Sequence, residues 1–70
     1  MITKIGLVAG DIWNYLDSHE GLSQFENIIA GVGKERDIVL MSIGWLAREG
    51  HIFLENEGKE YVIKLARKAQ

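Results

Sequence analysis

The sequence predicts an α+β domain in which three helices are followed by a C-terminal β-hairpin. Three observations point to it. Apolar residues recur at three- and four-residue spacing through most of the chain before Gly50, the pattern of helices with one buried side. After Gly50 the period changes to two, with Ile52 and Leu54 alternating with polar or aromatic neighbours, and later Tyr61, Ile63 and Leu65 doing the same. Between those runs stands Glu55-Asn56-Glu57-Gly58-Lys59, a polar stretch whose asparagine and glycine accept positive φ and suit a reversal.

The first helix is expected from about Thr3, a suitable N-cap, to Ser18. Ile5, Val8, Ala9, Ile12 and Leu16 form its buried stripe, Trp13 and Tyr15 flank it, and Asp11, Asn14 and Asp17 mark the wet side. Gly6 and Gly10 each cost a helix roughly 1 kcal/mol relative to alanine, so they either admit a close neighbour or are tolerated. His19 to Leu22 reads as a short connection. Ser23 and Glu26 fit the capping-box pattern, so a second helix is expected to start at Ser23 and bury Phe25, Ile28, Ile29 and Val32. Gly31 and Gly33 end it. The third helix begins near Lys34 or Glu35 and buries Val39, Ile43 and Leu46, and Gly50 stops it in the left-handed conformation. Two short helices joined by a tight glycine turn make a helix-turn-helix. The last five residues read as a tail, and Lys64, Arg67 and Lys68 at that end of the chain form its basic cluster.

Composition bounds the function. Seventy residues are expected to form one domain, 1–70, near the lower limit for folding without staples. The absence of cysteine removes disulfides and thiolate metal sites. No apolar run approaches the roughly 18 residues a membrane helix needs, and the N-terminus lacks a signal-peptide layout, so a cytoplasmic location without membrane contact is expected. A net charge of −2 offers no general attraction to nucleic acid.

Three helices and a hairpin make the winged-helix arrangement, with residues 52–65 as the wing. The segment Leu46-Ala47-Arg48-Glu49-Gly50-His51-Ile52 resembles the L-x-R-E-G-x-I junction between recognition helix and wing in many bacterial and archaeal winged-helix proteins. With Gly44-Trp45 before it, the chain is similar to a family of small stand-alone winged helix-turn-helix domains of unknown function. The resemblance runs from Ile5 to Leu65. It implies a winged helix-turn-helix fold and leaves the ligand open.

Two uses of that fold compete. In DNA-binding relatives the third helix enters the major groove, which the resemblance maps onto helix 35–49 and wing 52–65. Lys34, Arg36, Arg48 and Lys59 are then the candidate nucleic-acid contacts. The outward side of that helix, however, offers Leu40, Met41, Gly44 and Trp45, where a reader of base edges presents polar side chains. Helix residues 34–50 carry three acids against three bases, and the wing tip sets Glu55, Glu57 and Glu60 against Lys59. Phosphate rewards the opposite sign. The second use is protein association, with Leu40, Met41, Gly44 and Trp45 as the candidate interface and a homodimer as the simplest way to cover it. Against that stands the possibility that Trp45 folds under the wing or against Phe53 and that Met41 fills the core.

No enzymatic reading emerges. His19 and His51 have no catalytic partner at helical spacing, the acids are scattered, and Gly33-Lys34 lacks the rest of a phosphate loop. No catalytic, cofactor or metal residue is assigned, and no small-molecule substrate is evident. The expectation is a non-enzymatic interaction or homodimerisation module, with a DNA-binding transcriptional regulator as the alternative.

Overall fold

The computed structural model describes residues 2–66. Helix α1 (Ile2–Asp17) is followed by strand β1 (Leu22–Gln24), helices α2 (Phe25–Val32) and α3 (Arg36–Arg48), and strands β2 (Ile52–Glu57) and β3 (Glu60–Leu65). The strands form one antiparallel sheet in the order β1-β3-β2. The three helices and the hairpin stand where the residue pattern puts them. Of the basic cluster near the C-terminus, Lys64 lies in β3, as the alternating pattern expects, and Arg67 and Lys68 lie outside the described residues.

One core joins the layers. Ile12 and Leu16 of α1, Ile28 of α2, Val39 of α3 and Ile63 of β3 have essentially no exposure, and Ile43, Leu46 and Ile52 are buried around them. Ile5 is only partly buried and packs on the rim. Ser42 is the polar exception at the centre of α3. Its hydroxyl donates to the Ile38 carbonyl at 2.7 Å and lies 3.3 Å from the Ile5 carbonyl of α1, so burial leaves it satisfied.

The stretch between α1 and α2 departs from expectation. Ser23 does not cap a helix; it is buried in β1 opposite Ile63, and its hydroxyl donates to the Gln24 carbonyl. Gln24 occupies the N-cap position of α2 without a side-chain cap bond, and Glu26 is turned to Arg36. The sheet therefore gains a third strand, which covers the edge of β3 that the hairpin alone would leave open. Gly31 lies inside α2, and Gly33 alone ends it, at φ 73°. Thr3 is likewise inside α1, which starts one residue earlier. The hairpin strands extend through Glu57 and Glu60, so the reversal is confined to Gly58-Lys59 with Gly58 at φ 71°.

The turn after α1 holds strain. Glu20 adopts φ 65° and is followed by Gly21 at φ 81°, while the Gly21 amide donates to the Leu16 carbonyl at 2.7 Å. A side chain in that conformation costs about 1–2 kcal/mol. Glu20→Gly removes that strain but adds up to about 1 kcal/mol of unfolded-chain freedom, so a net gain between about 0 and 1 kcal/mol is expected. Thermal melts should show a Tm raised by up to a few degrees; a clearly lower Tm would mean that Glu20 is not strained.

Candidate functional site

The site grows out of the geometry of α3. Ile38, Val39, Ser42, Ile43 and Leu46 are buried, and at 3.6 residues per turn this leaves Asp37, Leu40, Met41, Gly44, Trp45 and Arg48 pointing outward. The outward side is apolar over most of its length. Leu40, Met41 and Trp45 are 39%, 44% and 43% exposed, and a Cβ placed on Gly44 would meet nothing within 4 Å. Met41 thus does not fill the core. Trp45 neither folds under the wing nor stacks on Phe53; its ring is tilted beside His51, with centroids 6.4 Å apart.

A shallow groove continues this surface toward α1. Gly6, Ala9, Gly10 and Trp13 line one side of it, and Trp45, Leu46 and His51 line the other. Gly6 and Gly10 are not close-packing glycines, since a Cβ at either would touch nothing within 4 Å. Their effect is to leave open space beside two half-exposed indoles.

Of the four cations considered for phosphate contact, Arg36 and Lys59 both border the surface of Phe25 and Glu26, and Arg48 stands apart from them. Arg36 opens α3, and both its terminal nitrogens donate to the Glu26 carboxylate at 3.2 Å while its guanidinium lies 5.9 Å from the centre of the Phe25 ring. The hydrogen bond from Arg36 holds the Glu26 carboxyl below the usual carboxylate range, and the same bond raises Arg36. Arg48 stands at the other end of α3, about 18 Å away by the rise of an α-helix. Lys34 sits in the turn before α3. Lys59 is at the hairpin tip between Glu57 and Glu60, and with Gln24, Phe25, Glu26, Glu60 and Tyr61 it lines a cavity of about 290 Å³. Two of that cavity's charged walls are carboxylates, which disfavours an anion.

A second apolar surface was not legible in the residue pattern. Leu22 and Phe53 both oppose Lys64 across β3, so all three share the outer sheet face, where the two apolar residues are 48% and 57% exposed. Lys64 donates to Glu55 at 3.0 Å across this face, and its hydrogen bond to that carboxylate raises its pKa. Finding it requires the register of β1, which three residues do not reveal. Among the described residues no three His, Asp or Glu side chains are grouped to hold a metal ion, and no helix is long and apolar enough to cross a membrane.

Comparison with known proteins places this geometry in a family. A family model described as a winged helix-turn-helix domain, DUF2582, matches residues 1–65. An uncharacterized protein of Methanocaldococcus jannaschii is 49% identical over 63 residues, covering 89% of this chain and 90% of that protein. No solved structure matches.

Proposed function

The chain belongs to the winged helix-turn-helix domain family DUF2582, and from that premise we propose that it is a non-enzymatic protein-association module that uses the outward side of α3. The observation that carries this reading is the exposure of Leu40, Met41 and Trp45 on the helix that a DNA reader would place in the major groove. A base-reading helix gains specificity from side chains that hydrogen-bond to base edges, and here the one such donor among the four central residues is an indole N–H. Exposed apolar surface with an aromatic anchor is instead what binds another protein. The simplest partner is a second copy.

Magnitudes favour the same reading. At ~25 cal/mol per Å² of apolar surface, a few hundred square ångströms contribute several kcal/mol before the entropy of association is subtracted, enough for weak to moderate self-association. The DNA-binding alternative draws on the fold and on Lys34, Arg36, Arg48 and Lys59. Fold does not fix function, and Arg36 would have to leave Glu26 to reach a phosphate.

Sedimentation of the wild-type chain over a wide concentration range tests the proposal. A concentration-dependent dimer is expected, and Met41→Glu should give a folded monomer with an unchanged circular-dichroism spectrum, because Met41 is exposed. A wild type that stays monomeric at high concentration would contradict self-association.

A further inference from the structure

We infer that two copies of this chain pair through α3 in antiparallel orientation about a two-fold axis, with Asp37 of each copy set against Arg48 of the other. The inference rests on the association reading above and deepens it, adding polarity, register and the residues that enforce them. It comes from the order of side chains along the outward face: Asp37, then Leu40 and Met41, then Gly44 and Trp45, then Arg48.

The face carries one acid at its start and one base at its end, about 16 Å apart along the helix. Both side chains are exposed, and neither forms a salt bridge among the described residues. A parallel copy would set acid against acid and base against base. An antiparallel two-fold sets each acid against the partner's base, and symmetry makes the contact twice. Opposed helix dipoles favour the same polarity.

Each charge also suits its own helix terminus, so charge placement alone would be ordinary. What makes it specific is shape in the same register. When Asp37 faces the partner's Arg48, Met41 faces the partner's Gly44, while Leu40 and Trp45 stand on opposite flanks of the pairing line. The open space over Gly44 then takes a flexible, half-exposed thioether. Charge and volume are self-complementary in one register.

Charge inversion tests this directly, and the absence of cysteine allows a clean cross-link. Asp37→Lys alone and Arg48→Glu alone should each weaken self-association at least ~tenfold, because each creates two like-charge contacts per dimer. Mixing those two variants should restore pairing as a heterodimer, and the double variant should again pair with itself. Met41→Cys mixed with Gly44→Cys should form a disulfide-linked heterodimer in preference to either homodimer under mild oxidation. Circular dichroism confirms the fold of each variant. If Met41→Glu abolishes the dimer while the charge inversions and cysteines do nothing, this register is wrong and α3 still carries the association. If the wild type never dimerises, the pairing and the self-association reading fall together.

Discussion

Leu46→Ala is expected to cost about 2–5 kcal/mol, the range for truncating a fully buried leucine. Leu46 is 3% exposed in the cluster that ties α1, α3 and the hairpin together. The alanine would leave a void where three elements converge, and a chain of this size has few other residues to collapse into it. Against a total stability of about 5–15 kcal/mol, the loss removes a large share. Denaturant or thermal unfolding should show a Tm lower by more than about 10 °C. An unchanged midpoint would mean that the buried stripe of α3 is misassigned.

Gly31→Val is the second large effect, for the opposite reason. A Cβ at Gly31 would overlap the Tyr15 ring, which is half-buried against α2 and stacked on His19 at 4.0 Å between centroids. Valine gains a few tenths of a kcal/mol in helix propensity over glycine. Forcing the ring aside costs about 1–3 kcal/mol, so the clash wins. Unfolding curves should therefore show a clear loss in the wild-type background and a much smaller one in a Tyr15→Ala background. Equal losses in both would mean that the Tyr15 contact is not what requires glycine here.

The helices and their buried faces were legible because each repeats its apolar spacing over two turns or more, as Ile5, Val8, Ile12 and Leu16 do. The hairpin was legible because Gly58 and its polar neighbours interrupt two alternating runs. Strand β1 was not. Three residues cannot display a period, and Ser23 with Glu26 satisfied a capping pattern that the fold overrides by placing Ser23 opposite Ile63. Gly31 was misread for a related reason. Sequence shows that a glycine is present but not that Tyr15, sixteen positions away, occupies the space its side chain would need. The Arg36–Glu26 bond crosses the helix-turn-helix and depends on the angle between α2 and α3, which no local pattern encodes.

The outward side of α3 was legible, because once Val39, Ile43 and Leu46 take the core direction, helical geometry sends Leu40, Met41 and Trp45 away from it. Its neighbours were only partly so. The position of Trp13 beside Trp45, with Gly6 and Gly10 opening a groove between them, depends on how α1 crosses α3.

The most direct test of the claim that α3 is a protein-contact helix is a titration against a pool of duplex DNA, taken from low salt to about 0.15 M. Weak, sequence-independent binding that disappears by physiological salt is predicted, because acids match the bases on the helix and outnumber them at the hairpin tip. Tight binding to one defined sequence at physiological salt, lost on Arg36→Ala or Arg48→Ala, would contradict the account and make this chain a DNA reader.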